Sequence, residues 1–343
     1  MHKLIEVNKG INLTEEKENL EWLDKKLNIL RMNEHKGLLN RLIGKHDLIN
    51  EFGMWTPLKL VCLSYFVGPY VRIINSLKSS KKNLKIYYFD IFAGTGINKI
   101  KDRETYFAGS PILTIDCATS TMQYFDEMYF SDLDEEKIFA LSNRLEELEQ
   151  NKDYSWIQGR YYTIIGDANI ALQKYAKMLK NNMPAQFLAF IDPYRSEVKL
   201  TNLRKLLAFE YGDLIYTLQA KSIARIVGKA IKQDQLTEEK IKELEDFLGC
   251  PKSSWKEKGL DTRENVKNYY MKQIRLYRRY VLDIQIKGKN FDYFMIYATR
   301  KFSPNWKPIL ENLKKEIEKR TSRHVKYSID FLEDKQGRLS DYY

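Results

Sequence analysis

The run Ile86-Tyr-Tyr-Phe-Asp-Ile-Phe-Ala-Gly-Thr-Gly96 constrains this chain more than any other stretch. Ile86 to Phe92 is β-branched and aromatic, the composition of a buried strand. Ala93, Gly94 and Gly96 follow at once, and residues this small let a backbone turn tightly and approach another group closely. In an open α/β sheet, a ligand sits just beyond the carboxyl end of a central strand. A strand that carries an acid near its end, Asp90, and then turns on glycines fits a nucleotide-like ligand there.

Later segments repeat this plan. Glu127 to Asp132 reads as a second strand, with Asp132 and Asp134 at its end. Tyr162 to Gly166 is a third, closed by Asp167; Phe187 to Ile191 is a fourth, closed by Asp192; Leu214 to Leu218 is a fifth. Helical segments lie between them, such as the one carrying Ile138, Leu141, Leu145 and Leu148. The alternation predicts an α/β fold with a mostly parallel central sheet, right-handed crossovers and helices on both faces. Asp90, Asp132, Asp167 and Asp192 would then line one rim. After Gly96, Asn98 to Phe107 is polar and reads as a long, mobile loop; Gly109-Ser110-Pro111 then opens a helix with Ser110 as N-cap.

The flanks divide as follows. Residues 1–50 form a helical extension in which Leu20, Leu23, Leu27 and Leu30 make one apolar stripe that packs on the main domain, with Thr14 as N-cap. His35 and His46 read as surface residues. Residues 51–220 form the core, entered through Trp55-Thr-Pro-Leu-Lys59, with Thr56 as N-cap and Trp55 and Lys59 near the helix N-terminus, at the border of the ligand pocket, Trp55 reading first as a packing residue. Residues 221–282 read as a helical insertion. Residues 283–335 complete the sheet through a strand at Tyr293–Thr299, a helix from Trp306 to Ile317 and an edge strand at Val325–Phe331; 336–343 is a tail.

Lysine and arginine outnumber aspartate and glutamate by 57 to 46, a formal charge of +11, which favours a polyanionic partner such as RNA or DNA. Lys221, Arg225 and Lys229 recur every four residues on one helical face, and Arg275, Arg278 and Arg279 flank a tyrosine-rich face; these are the candidate nucleic-acid contacts. Tyr269, Tyr270 and Tyr277 read as packing residues. The three cysteines are scattered without zinc or disulfide spacing, so no metal is expected and a reducing cytoplasm is. No stretch reaches the ~18 uninterrupted apolar residues of a membrane span, and no apolar leader is seen.

Two ligand classes fit a glycine turn below acid-tipped strands. A dinucleotide wants a third glycine, a helix opened by that loop and an acid ~20 residues on. Here Ile97, Asn98 and Lys99 follow Gly96, and the next strand-ending acid is as far away as Asp132. S-adenosylmethionine has no pyrophosphate, and its sulfonium and amino group prefer an acid such as Asp90. The expected cofactor set is Asp90, Phe92, Ala93, Gly94 and Gly96 for the charged tail, Asp132 and Leu133 at the ribose, and Asp167 and Ala168 at the adenine. Asp192-Pro193-Tyr194 supplies the expected catalytic turn. In enzymes that methylate exocyclic amino groups, an acid or amide accepts from the amino group at this place and an aromatic stacks on the extruded base. This chain has one proline where those enzymes usually have two.

Trp55-Thr-Pro-Leu-Lys59, Asp90-Ile-Phe-Ala-Gly-Thr-Gly96, Gly109-Ser-Pro111, Phe190-Ile-Asp-Pro-Tyr194 and Tyr297-Ala-Thr299, in this order, resemble the three-Cys-motif partner proteins. That prokaryotic family has a class I, Rossmann-like methyltransferase fold. The resemblance spans residues from about 50 to 320 and implies S-adenosylmethionine binding around Asp90, Gly94, Gly96 and Asp132. Its members often carry phenylalanine where this chain has Tyr194. The expectation is a cytoplasmic S-adenosylmethionine-dependent methyltransferase acting on a base nitrogen of nucleic acid, of the adenine N6 type by the Asp-Pro-Tyr turn. The alternative is a methyltransferase-fold protein without turnover that binds nucleic acid or a partner protein.

Overall fold

The structure is a computed structural model that describes residues 13–35, 37–233, 236–288, 292–300 and 306–333. Two helices, α1 (Leu13–Leu30) and α2 (Leu38–Ile43), precede the short strand β1 (Asn50–Phe52) and the long helix α3 (Thr56–Ser76). Next come β2 (Lys85–Asp90), β3 (Ile97–Ile100), β4 (Tyr106–Ala108), α4 (Ser110–Thr121), β5 (Glu127–Asp132), α5 (Glu135–Glu149), β6 (Tyr161–Ile165) and α6 (Ala168–Asn181). β7 (Ala185–Ile191), α7 (Leu200–Leu207) and β8 (Gly212–Leu218) follow, then α8 (Ala220–Gln233), α9 (Glu238–Leu248) and α10 (Arg263–Arg275). The chain closes with β9 (Tyr280–Lys287), β10 (Asp292–Thr299), α11 (Trp306–Glu318) and α12 (Ser322–Leu332).

Seven strands form the main sheet in the order β6-β5-β2-β7-β8-β10-β9. Neighbours from β6 through β8 pair in parallel, and β10 runs antiparallel to both β8 and β9. With β2 central and the last strand reversed, this is the doubly wound, Rossmann-like fold of the class I methyltransferases. Alternation along β2 shows why the sheet is covered twice: Ile86 and Tyr88 join one buried cluster with α1, α3 and α4, while Tyr87 and Phe89 join another with α6, α7 and α8. A parallel sheet of this kind buries both faces, so its strands read as nearly continuous apolar runs.

The leucine stripe of α1 is buried, and α1 lies against α3 and α12 as its spacing predicts. Among the described residues one helix, Thr56–Ser79, is long and apolar enough to cross a membrane, and half of its most apolar window is buried inside the fold. Leu58, Val61, Leu63 and Val67 are the residues it spends on the core.

Several expectations need correction. Asn98 to Phe107 is not a loop: β3 and β4 form a hairpin that joins β1 in a separate three-stranded sheet. Its buried apolar side chains are Ile97, Ile100, Phe107 and Ala108, and the polar residues between them, within Asn98 to Glu104, keep the run from reading as strands. The helix caps sit one residue earlier than expected, at Trp55 and Gly109, with Pro57 and Pro111 still in the first turns. Val325–Phe331 is helical; Val325 and Ile329 are buried four residues apart, a helical spacing that alternation had imitated. The strand β9 begins at Tyr280, two residues before the expected boundary at 282, and the helical stretch before it is α8, α9 and α10. Ile223, Val227, Phe247, Tyr270 and Ile274 complete the core on one face of the sheet. His35 and His46 are half-buried: His35 lies 3.7 Å from Asp116, and His46 accepts from the Leu48 amide through Nδ1. The expected tail at 336–343 lies outside the described residues.

Candidate active site at the carboxyl rim

Register places the acids. Asp90 pairs with Phe130 on one side and with Phe190 on the other, so Asp132 and Asp192 each stand two residues beyond it. Asp132 is level with Ile165, which puts Asp167 two residues further out on the next strand. All four carboxylates therefore occupy one rim of one sheet, with Asp90 deepest. They form an acidic rim in a chain whose net charge is +11.

The loop after β2 is a cradle that side chains would fill. Gly94 and Gly96 have φ of +61° and +78°, the left-handed region that favours glycine. A Cβ on Gly94 would meet the Asn50 amide at 2.3 Å, and one on Gly96 would meet Leu141 at 2.7 Å. Gly94 N–H donates to the Asp132 Oδ2 at 3.0 Å, while Gly109 N–H donates to the Gly96 carbonyl. Gly109 has an ordinary φ, yet its absent side chain matters most: a Cβ there would lie 2.8 Å from the Gly96 carbonyl carbon. Gly109→Ala is accordingly expected to cost about 2 kcal/mol and to weaken cofactor binding by moving the loop. Gly44→Ala, where a methyl meets only ordinary contacts at 3.6 Å, should do neither. Thermal denaturation with calorimetry compares the two.

Asp90 is fully buried, and no donor meets hydrogen-bond geometry at either of its carboxylate oxygens. Burial pushes its pKa up to about 7; the nearby Ser110 hydroxyl and Phe92 N–H offset part of this, and Asp192 and Asp132 add to it. Such a group is poised for a cation. The N-terminal turn of α4, which begins at Ser110, lies beside it.

Asp132 and Asp167 are already partly engaged. Asp132 Oδ1 accepts from the Asp134 amide at 3.1 Å, and Asp167 Oδ1 caps α6 through the Asn169 and Ile170 amides. Leu133 after β5, Ile165 at the end of β6 and Ile170 in the first turn of α6 are exposed apolar side chains at the same rim. Exposed apolar surface next to carboxylates suits a flat heterocycle with polar edges. Phe92 is half-buried, while Ala93 and Ala168 are buried.

At the end of β7, Asp192 is held by the Lys59 ammonium from the first turn of α3. Lys59 also lies 5.5 Å over the Phe52 ring, so the segment 50–59 crosses the rim from above. Pro193 is buried and Tyr194 is 71% exposed. Gln219 donates to the Tyr194 carbonyl, and the Arg195 guanidinium lies 5.2 Å from the Tyr194 ring centroid. The Lys59 pairing was not legible in the sequence, although Lys59 was placed near the ligand end.

Sequence reasoning missed Arg144. This side chain is fully buried on α5 and donates to four carbonyls: Leu42 at 3.0 Å, Thr95 at 2.7 Å, His46 at 2.7 Å and Leu48 at 2.8 Å. It ties the glycine loop to the N-terminal extension. Its signal was present: a cation inside the stripe formed by Ile138, Leu141, Leu145 and Leu148.

The predicted basic residues separate. Lys221, Arg225 and Lys229 are exposed along α8, which starts at this rim directly after β8. Arg275 and Arg279 are exposed at the opposite rim, beside the start of β9. Arg278 is no surface contact: it is 1% exposed and donates to the Leu207 and Phe209 carbonyls. Tyr270 is buried and Tyr269 and Tyr277 are half-buried, as packing residues should be. Two cavities of about 430 Å³ lie away from the carboxyl rim. No group of three or more metal-ligating side chains occurs among the described residues.

The chain matches no protein-family model and no curated protein sequence. Among solved structures it is similar to protein LPL1258 from Legionella pneumophila str. Philadelphia 1, of family DUF519. The two are 12% identical, with a TM-score of 0.43 over 75% of this chain and 92% of that one. It is also similar to the O-methyltransferase from Bacillus cereus in complex with SAH, at 12% identity and a TM-score of 0.34 over 68% of this chain and 80% of that one. The fold assignment rests on strand order and direction, and the chemistry on the rim itself.

Proposed function

We propose that this protein is an S-adenosylmethionine-dependent methyltransferase whose substrate is a base nitrogen of RNA or DNA. The observation that carries the reading is Asp90: a buried carboxylate without hydrogen-bond partners, under a glycine cradle, at the centre of an acidic rim. A cationic ligand with a ribose and a flat base satisfies what that rim leaves open. Gly94, Gly96 and Asp90 would hold the charged tail, Asp132 the ribose hydroxyls, and Leu133, Ile165, Asp167 and Ala168 the adenine. When bound, the cofactor supplies an electrophilic methyl group.

The chain's own residues do the rest by positioning. Lys59 fixes Asp192 through Oδ2, leaving Oδ1 to accept an N–H from the nucleophile. That contact orients the nitrogen lone pair and takes up the positive charge that develops as the nitrogen is alkylated. Tyr194 presents an exposed ring on which an unstacked base can rest. The net charge and the exposed basic face of α8, leading away from the rim, support a polyanionic substrate.

The test is transfer of a labelled methyl group to RNA and to DNA, with Asp192→Ala beside the wild type. Loss of roughly 10²–10⁴-fold is expected; equal rates would remove Asp192 from the chemistry. A second reading is a methyltransferase-fold protein without turnover that holds nucleic acid or a partner protein. It is favoured by the Lys59 pairing, which neutralises Asp192, and by the single proline after it. Cofactor binding by calorimetry without transfer to any nucleic acid would select that reading, and absence of binding would sink the first.

A further inference from the structure

The rim opposite the glycine loop holds a cavity of about 430 Å³ that methyl transfer does not use. The end of α7, the turn between α10 and β9, and the residue after β10 line it. Its walls include Arg275, Arg278, Arg279 and Arg300, against a single carboxylate, Glu210. Arg300 pairs with Glu210 and lies 4.7 Å over the Tyr211 ring; Lys81 sits 5.4 Å from the same ring. Arg275 and Arg279 are exposed and make no ion pair among the described residues.

The sign of this place is set by Arg278. The C-terminal end of a helix is a poor site for an anion, because its last carbonyls point outward. Here the Arg278 guanidinium covers the Leu207 carbonyl at 2.8 Å and the Phe209 carbonyl at 3.2 Å. Asp213, buried behind it, is the carboxylate whose charge acts on Arg278. The carbonyl end of α7 is thus capped from inside, and the two outer arginines face the cavity without competition from it. Guanidinium groups in this arrangement match phosphate oxygens in shape and charge. Leu276, 69% exposed between the arginines, and the half-buried Tyr277 add apolar surface that a free phosphate ion would not need and a sugar or base would.

We propose that this cavity binds a phosphodiester of a nucleic-acid strand, as an anchoring site on the far side of the sheet from the glycine loop. The proposal stands apart from methyl transfer, since it concerns binding at the other rim and holds whether or not the protein turns over. A strand engaging both Arg275 and Arg279 gives up counterions to each.

The experiment measures binding of a short single-stranded RNA as a function of salt, by fluorescence anisotropy, for the wild type and for Arg275→Gln/Arg279→Gln. Loss of two phosphate contacts should reduce affinity roughly tenfold and flatten the slope of log K against log salt by about 1.4. A charge-matched control, Lys17→Gln/Lys25→Gln on α1 across the sheet, should change the slope little. Equal affinity and slope for wild type and the arginine variant overturns the proposal, as does an equal loss in the control, which would leave only diffuse electrostatics. Millimolar inorganic phosphate or pyrophosphate supplies the other arm. Competition at those concentrations that the arginine variant abolishes, with no dependence on the strand, would show a small-phosphate site and overturn the strand assignment. Thermal denaturation of the variant should match the wild type, since both arginines are exposed.

Discussion

Asp90→Asn is expected to give a protein whose stability falls less steeply than the wild type's as pH rises toward neutrality, and which has lost its hold on a cationic cofactor. The sign follows from burial. The carboxyl of Asp90 has a pKa of about 7 in the folded chain against an ordinary value of 3.8. Between those values the native state keeps a proton that the unfolded chain has released. Stability therefore declines as pH rises through that window and levels off above about 7. From about pH 5 to about pH 8 the loss amounts to roughly 2–3 kcal/mol, at 1.36 kcal/mol for each unit of pKa difference. Asp213, raised to about 6 by burial, adds a decline of the same sign, but it is present in both proteins and cancels in the comparison. Urea denaturation at several pH values reads the difference directly. If the wild type and the Asn variant trace parallel curves, Asp90 is not the buried acid described here.

Binding turns the same linkage around. A sulfonium or ammonium group beside Asp90 favours the carboxylate, so cofactor binding should expel a proton below about pH 7 and tighten by up to tenfold per pH unit in that range. The Asn variant should bind weakly and without this dependence. Calorimetry in two buffers of different ionisation enthalpy measures the proton released. Proton release of zero in the wild type at pH 6 would separate Asp90 from the cofactor. The protein thus keeps a destabilising acid in its centre, which makes sense where a ligand rather than a hydrogen bond is meant to satisfy it.

Arg144→Met is expected to have the largest effect on folding. Methionine fills much of the same space but donates nothing, so four carbonyls, of Leu42, His46, Leu48 and Thr95, lose their common donor. At about 1–3 kcal/mol for each buried group left unsatisfied, a loss on the order of 4 kcal/mol or more follows. Arg144→Lys should recover little, because one ammonium cannot reach carbonyls arranged around a planar fork. Arg144 joins the extension to the glycine loop, so residual folded protein should also bind cofactor more weakly. Denaturation and calorimetry on the same samples separate these effects. An Arg144→Met protein within about 1 kcal/mol of the wild type would show that the four contacts are dispensable.

The central strands were legible because each property that defines them is local. β2, β5, β7 and β8 are apolar runs of strand length, and the glycines after β2 have no other use than a close turn. The acids followed from the same reading, since residues at the ends of parallel strands must gather on one edge. The hairpin of β3 and β4 was not legible, because its apolar residues are separated by a polar stretch and its pairing with β1 joins residues nearly fifty positions apart. α12 failed for a related reason: Val325 and Ile329 fit a helix and a strand almost equally well until α1 is there to cover one face. Arg278 read as a surface cation because a sequence shows charge but not whether backbone carbonyls await it.

The mostly parallel strands, the glycine turn and the acidic rim are properties of the chain's own alternation of apolar runs with small and acidic residues, whereas the order of the strands in the sheet came from the fold. Only the folded molecule decided how each of those acids is partnered: Asp192 meets Lys59, Asp132 and Asp167 hold backbone amides, and Asp90 has the Ser110 hydroxyl and Phe92 N–H nearby but no donor in hydrogen-bond geometry. Partnership of that kind depends on distances between segments far apart in the chain, and the free energy of a buried charge depends on those distances more than on the identity of its neighbours in sequence.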